Sequence, residues 1–87
     1  MPTPTLTLYV KTGCPYCAMV IHKLEDLGLS WEEKNVANPE ISEELTKIGN
    51  GVRQEPYFID HERGVSMFES SDIVDYLEKT FGGRKQG

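Results

Sequence analysis

Two cysteines, Cys14 and Cys17, stand three positions apart with a proline and a tyrosine between them. Thiols at this spacing can form a structural disulfide, bind a metal or act as a reactive pair. A disulfide that closes so short a loop constrains the unfolded chain by only about 2 kcal/mol on the loop-entropy model. A zinc site needs two more ligands, and His22 and His61 lack the paired spacing of such a site. The sequence therefore favours a reactive pair and no metal.

Each residue of the pair has a separate expected role. Cys14 precedes a predicted helix, where unpaired backbone N–H groups and the positive end of the helix dipole favour thiolate over thiol. Lys11, three residues earlier, adds positive charge nearby. Cys17 lies one helical turn further on, from where its sulfur can displace a mixed disulfide. We therefore expect Cys14 to be the nucleophile and Cys17 the resolving thiol.

The elements that position this pair are a strand before it and a helix after it. Residues 5–10 are rich in β-branched and aromatic side chains and alternate apolar positions on one face, which predicts a strand. From Pro15 the apolar residues follow the helical period, and Gly28 stands just past the predicted end.

The rest of the chain predicts five more elements. A second strand is expected at residues 30–36, and Asn38-Pro39 predicts the start of a helix that buries Ile41, Leu45 and Ile48. Two short strands, 57–60 and 65–68, are joined by a hairpin turn at residues 61–64. Ser70 or Ser71 is expected to cap a last helix carrying Ile73, Val74, Leu77 and Phe81.

This order, β-α-β-α-β-β-α, predicts an α/β fold with a mixed four-stranded sheet and three helices. The first two strands should pair in parallel through a right-handed crossover, and the late hairpin must be antiparallel. With 87 residues the chain forms one domain, residues 1–87, in which 82–87 are expected to be a frayed tail.

Composition excludes several classes of partner. Fourteen acidic and nine basic residues give a net charge of −5, which argues against nucleic acid or anionic lipid. No apolar stretch approaches the ~20 residues of a membrane span. Two cysteines are too few for a secreted disulfide scaffold. We expect a soluble, cytoplasmic monomer.

The sequence resembles the glutaredoxins of the thioredoxin fold over nearly its whole length. The resemblance rests on Tyr9, Lys11, the Cys-Pro-Tyr-Cys block at 14–17 and Pro56. It implies that glutathione is the co-substrate and that disulfide-containing or glutathionylated proteins are the partners. It also implies that Tyr16 shapes the floor of the groove.

The same resemblance assigns roles around Pro56, which would be the family's cis-proline. The backbone of Glu55 would pair with the cysteine of glutathione. Arg53 and Lys11 would hold its glycine carboxylate.

Two segments depart from the glutaredoxin pattern. Gln54-Glu55-Pro56 replaces the usual Thr-Val-Pro, which places a carboxylate beside the groove and would slow acidic substrates. Glu69-Ser70-Ser71 replaces a Gly-Gly and is similar to the Glu-Ser turn of glutathione transferase N-terminal domains. In both families this helix N-terminus receives the γ-glutamyl carboxylate. The expected glutathione-binding residues are thus Lys11, Tyr16, Arg53, Gln54, Glu55, Pro56, Glu69, Ser70 and Ser71.

These residues predict a glutathione-dependent thiol–disulfide oxidoreductase. Three alternatives stay open at this point. One is a thioredoxin-like electron donor served by a flavoprotein reductase, and another is a carrier that binds an iron–sulfur cluster between two chains. The third is a transferase, suggested by the Glu-Ser turn, although these 87 residues do not include the all-helical second domain that completes such enzymes.

Overall fold

The computed structural model describes residues 5–49 and 54–82. Four strands and three helices follow one another in the predicted order. The strands are β1 (Leu6–Val10), β2 (Glu32–Asn35), β3 (Tyr57–Asp60) and β4 (Val65–Met67). The helices are α1 (Pro15–Asp26), α2 (Pro39–Ile48) and α3 (Ser70–Phe81).

The strands form one mixed sheet in the order β2-β1-β3-β4. β1 pairs in parallel with β2 and antiparallel with β3, and the β3–β4 hairpin is antiparallel. Leu8 of β1 lies between Glu33 and Phe58 of its two neighbours. All five residues of β1 are buried, as a central strand covered on both faces requires. The predicted topology is therefore confirmed.

The two faces of the sheet are covered by different helices. Alternate residues of β1 point to opposite faces, so Leu8 and Tyr9 belong to different hydrophobic clusters. α1 and α3 cover the larger cluster, and α2 alone covers the smaller one. The buried residues of the larger cluster are Leu6, Leu8, Val10, Cys17, Val20, Leu24, Phe58, Ile73, Leu77 and Phe81.

The small cluster contains Tyr9, Leu45 and Tyr57 as its buried residues. Ile48 was expected in the core, but its exposed fraction is 44%. It lies in the last turn of α2, beside a hollow that stays open between this helix and the β3–β4 hairpin. The helical period therefore places Ile48 on the side of α2 that faces the hairpin, but the hollow leaves its side chain partly exposed.

The helix starts match the sequence signals at α2 but not at α3. The Asn38 side chain caps α2 by accepting the Glu40 N–H at 2.9 Å. At α3 the capping residue is Glu69, not Ser70 or Ser71, and its side chain makes no capping bond. Glu69 is extended (φ −76°, ψ 128°), and its carbonyl accepts the N–H of Ile73 at 2.8 Å. Ser70 is already the first helical residue.

The end of α3 also differs from the prediction. Gly82 was expected to begin a frayed tail, but it is buried, and its N–H donates to the carbonyl of Glu78. Residues 83–87 lie outside the described part of the chain. Among the helices of the described ranges, none has the length and apolar character needed to cross a membrane.

Candidate active site

Cys14 lies at the junction of β1 and α1, where the sequence places it. Gly13 adopts φ +81°, a conformation that favours glycine, and turns the chain after the strand. The Cys14 N–H donates to the carbonyl of Lys11 at 3.2 Å, which closes the turn. Cys14 is the N-cap residue of α1, and Pro15 follows in the first turn. The Cys14 sulfur therefore lies at the N-terminal end of α1, where backbone N–H groups have no partner within the helix.

The surroundings of Cys14 favour its thiolate. Burial would by itself raise the pKa of the thiol, but hydrogen bonds from Cys17, through both backbone and side chain, and from the Tyr16 backbone outweigh it. The negative charge of Glu55 acts in the opposite direction. The net result is a pKa of Cys14 below its ordinary value.

Cys17 has the opposite electrostatic character. Only 2% of its surface is exposed, and this burial is the main cause that raises its pKa to about 11. The backbone of Lys11 lowers that pKa, whereas Cys14 and Glu55 raise it. Both cysteines are free thiols in the structure. The pair thus consists of one accessible sulfur that ionises easily and one buried sulfur that stays protonated.

A cleft of about 260 Å³ lies beside the first turn of α1. The peptide bond between Glu55 and Pro56 in its wall is cis, as the resemblance implied. Phe68, which the sequence did not indicate, also lines the cleft. The lining residues are Tyr16, Gln54, Glu55, Pro56, Phe68, Glu69 and Ser70.

Phe68 joins the two walls of this cleft. Its ring packs at a tilt of 34° against Tyr57, with 4.4 Å between the ring centroids, and Tyr57 packs in turn against Tyr9 at 5.9 Å. Tyr57 directly follows Pro56, and Phe68 directly precedes Glu69. This ring contact therefore fixes the cis-proline segment relative to the start of α3. The sequence could have indicated this contact, because an aromatic residue stands next to each of the two predicted binding segments.

The two cysteines do not line this cleft but a second, more open groove of about 450 Å³. Lys11, Glu33 and Asn35 border this groove, and the last two were not among the predicted site residues. The Asn35 side chain donates to the hydroxyl of Thr12 at 2.9 Å and ties β2 to the turn before Cys14. Cys14 thus borders the groove, and Tyr16, two residues further on, borders the cleft.

Two of the predicted glutathione-binding residues that the structure describes do not line the cleft. Lys11 borders the groove of the cysteines and, together with Glu55, a neighbouring hollow. Ser71 is exposed in the first turn of α3. Arg53 lies outside the described residues.

Within the described ranges, no three side chains of the His, Cys, Asp or Glu type are arranged to hold a metal ion. The ring of His61 instead lies 2.9 Å, by its Nε2, from the hydroxyl of Thr7.

Comparison with known protein families gives one match. The sequence fits the profile of the glutathione S-transferase N-terminal domain over residues 8–85. A comparison with curated protein sequences found no significant match.

Solved structures include two similar transferases. Glutathione transferase URE2P6 from Phanerochaete chrysosporium, in complex with oxidized glutathione, is 29% identical with a TM-score of 0.73, and the match covers 93% of this chain. Glutathione transferase Omega 3C from Trametes versicolor is 27% identical with a TM-score of 0.72, over 94% of this chain. The matches cover only 38% and 35% of those two proteins.

The fold itself also occurs in a protein of about this size. The thioredoxin-like protein BC3987 is 16% identical with a TM-score of 0.68, and the match covers 85% of this chain and 96% of that one. The fold is therefore thioredoxin-like.

Proposed function

The chain belongs to the glutathione S-transferase N-terminal domain family, and on that basis we propose that it is a glutathione-dependent thiol–disulfide oxidoreductase. One observation carries the proposal: a partly exposed cysteine with a lowered pKa lines one groove together with a buried cysteine whose pKa is about 11. Such a pair suits thiol–disulfide exchange, since the first thiol ionises readily and the second reacts only with a partner already in place.

In the first step the Cys14 thiolate attacks one sulfur of a disulfide. A bond forms between the Cys14 sulfur and the attacked sulfur, and the other sulfur leaves as a thiolate that takes a proton from solvent. Hydrogen bonds from the first turn of α1 lower the pKa of Cys14 and so favour the thiolate that attacks.

In the second step the mixed disulfide is resolved by Cys17 or by glutathione. Cys17 must first lose its proton, and its thiolate then attacks the Cys14 sulfur and releases the bound thiol. The protein is left with a Cys14–Cys17 disulfide, which two glutathione molecules reduce while they are oxidised to glutathione disulfide. A glutathionylated substrate needs only Cys14, because a second glutathione can attack the mixed disulfide.

The cleft is the proposed site for glutathione. The backbone of Glu55, next to the cis-proline Pro56, would pair with the cysteine of glutathione. The N–H groups at the start of α3 and the hydroxyl of Ser70 would receive its γ-glutamyl carboxylate, while Glu69 accepts from its amino group. Tyr16 and Gln54 line the same cleft. Lys11 and Arg53 remain the proposed partners of the glycine carboxylate, with Ser71 beside Ser70.

The proposed substrates are glutathionylated or disulfide-containing proteins, and the proposed state is a monomer in a reducing, cytoplasmic compartment. The accessible Cys14 and the net charge of −5 support a protein substrate rather than nucleic acid.

A second candidate function is conjugation of glutathione to an electrophile. The similarity to glutathione transferases supports this candidate. A conjugation assay with an aromatic halide separates the two functions, because conjugation does not require a free thiol on the protein. Activity that survives loss of both cysteines would support the transferase.

The test of the proposed function is titration of the reduced protein with glutathione disulfide, followed by mass spectrometry. The wild-type protein should form a transient glutathione adduct that proceeds to the Cys14–Cys17 disulfide. Cys17→Ser should accumulate the adduct and still deglutathionylate substrates, but it should not reduce protein disulfides. Cys14→Ser should form no adduct. Equal activity of the two variants would contradict the assigned roles.

A further inference from the structure

Glu55 occupies a central position at the site. It lines the cleft together with Tyr16 and Glu69, and it also borders the neighbouring hollow with Lys11. Glutaredoxins, which this chain resembles, have valine in the corresponding Thr-Val-Pro. The proposed binding of glutathione uses the backbone of Glu55 and does not require its carboxylate. The carboxylate is therefore a separate feature of this chain.

The charge of Glu55 acts on both sulfurs. It opposes ionisation of Cys14 and of Cys17, and so it raises the pKa of each thiol relative to what the other groups would set. Lys11 lines the groove of the sulfurs and also borders the hollow with Glu55. A substrate that reaches Cys14 thus comes within the field of a carboxylate as well as of an ammonium group.

We infer that Glu55 is a specificity-determining residue that favours disulfides carrying a positive charge beside the sulfur attacked by Cys14. The inference rests on the proposed thiol–disulfide exchange and names the class of substrate. Glu55 borders the cleft and also a hollow that shares Lys11 and Thr12 with the groove of Cys14. A cationic group on a substrate bound there therefore lowers the energy of the complex, and an anionic group raises it.

The chemistry of the exchange makes this effect larger at the transition state. As Cys14 forms its new bond and the leaving sulfur departs, negative charge is spread over three sulfur atoms, and the electron pair ends on the leaving thiolate. A carboxylate nearby disfavours this charge. A cation on the substrate offsets both the sulfur charge and the carboxylate, so the preference should appear in the rate of attack.

The test uses three small disulfides of similar size: cystamine, which is cationic, bis(2-hydroxyethyl) disulfide, which is neutral, and dithiodipropionate, which is anionic. Each is mixed with the reduced protein without glutathione. Acid quenching, alkylation and mass spectrometry give the second-order rate constant for loss of the two free thiols. The readout is the ratio of the cationic to the anionic rate constant, because a general change in Cys14 reactivity affects both alike.

In Glu55→Gln this ratio should fall about tenfold at low salt, as expected when one full charge is removed near the reacting atoms. Glu55→Asp should keep most of the wild-type ratio. Glu43→Gln is the matched control, since it removes the same charge from an exposed position of α2 that lines none of the cavities described above. It should leave the ratio unchanged.

Three outcomes would overturn the inference. An unchanged ratio in Glu55→Gln, with rates still measurable, removes the role of Glu55 and leaves the proposed exchange reaction intact. An equal fall in Glu43→Gln assigns the preference to the net charge of the protein. Failure of all three disulfides to oxidise the wild-type protein contradicts the exchange reaction itself.

Discussion

Cys14 and Cys17 differ in pKa although they lie only one helical turn apart. Cys14 faces the backbone N–H groups of residues 16 and 17, whereas Cys17 is enclosed by the core that α1 and α3 form with the sheet. The sequence assigned part of the stabilisation of the thiolate to Lys11, but the structure attributes it chiefly to Cys17 and the Tyr16 backbone. Backbone and side-chain hydrogen bonds, more than a neighbouring cation, thus lower the pKa of Cys14.

The pH dependence of alkylation tests this account. Only the thiolate reacts, so the alkylation rate of Cys14 should rise with pH to a midpoint below the value of about 8.5 for a free cysteine. Cys17 should react only as the pH approaches its pKa of about 11. Iodoacetamide labelling followed by peptide mapping reports each thiol separately.

The same labelling measurement separates the effect of Cys17 on the pKa of Cys14 from the effect of Lys11. Cys17→Ala removes a hydrogen-bond donor and should move the Cys14 midpoint to higher pH, whereas Lys11→Gln should move it less. A larger shift in Lys11→Gln would reverse the assignment.

At the scale of one element, the start of α3 contains an exposed side chain without a structural task. Glu69 is the N-cap residue, but its side chain makes no capping bond, so removing it should not weaken the helix. Glu69→Ala should lower the affinity for glutathione by roughly 1–3 kcal/mol, the value of a charge-assisted hydrogen bond, and leave alkylation of Cys14 unchanged.

Steady-state kinetics at varied glutathione concentration gives the first quantity and iodoacetamide labelling the second. Asp72→Ala, in the same turn but outside the cleft, is the control and should leave both unchanged. If Glu69→Ala behaves like Asp72→Ala, Glu69 has no role in glutathione binding.

The β3–β4 hairpin is held by a buried carboxylate. Asp60 is fully buried and accepts the N–H groups of Glu62 and Arg63, the Arg63 guanidinium at 3.2 Å and the Tyr76 hydroxyl at 2.7 Å. Burial would raise its pKa, but the bonds from Tyr76 and Arg63 outweigh that effect and lower it. The hairpin is thereby connected to α3.

Replacing this carboxylate should cost stability in a pH-dependent way. Asp60→Asn should reduce the free energy of unfolding at pH 7 by about 1.5–3 kcal/mol, because hydrogen bonds to a charged group are lost. A lowered native pKa stabilises the fold at pH values above the unfolded pKa of about 3.9, and this stabilisation is lost as the pH falls through the native pKa. The difference between wild type and variant should therefore shrink below about pH 4.

Urea unfolding at a series of pH values measures the effect. Asp75→Asn, which breaks an exposed ion pair with Lys79 on α3, is the control and should change stability little. A difference between Asp60→Asn and wild type that does not vary with pH would contradict the assigned ionisation of Asp60.

Over the whole molecule, patterns of period 2 and 3.6 predict the order of elements and the sheet, because both report burial directly. In β1 the apolar alternation correctly predicts a strand, but Thr7 and Tyr9 on its other face are buried as well, because α2 covers that face. The place of Cys14 and Cys17 at a strand–helix junction was also predictable from their spacing. Most residues that line the cleft were predictable from the family resemblance. The capping residue of α3, the exposure of Ile48 and the role of Phe68 were not, because each depends on contacts between segments far apart in the chain.

The uneven covering of the sheet has a consequence for how the molecule opens. Leu45 is the single buried residue of α2, and Ile41 is half-buried beside it. Glu44 of the same helix accepts from the Tyr9 hydroxyl and from Lys34 Nζ at 2.7 Å. Burial and Glu44 raise the pKa of Tyr9, so its hydroxyl is a donor at neutral pH. A helix that buries so few apolar side chains is expected to unfold locally before the rest of the molecule.

Amide hydrogen exchange should show this separation. Tyr9→Phe should accelerate exchange in α2 by roughly five- to thirtyfold, the effect of losing about 1–2 kcal/mol of hydrogen bonding, while amides of α1 and α3 keep their wild-type rates. Lys79→Met, exposed on α3, serves as the comparison. Equal acceleration in all three helices would mean that the molecule opens as one unit. Separate opening of α2 means that the face carrying the cysteines persists intact through excursions in which the opposite face is exposed to solvent.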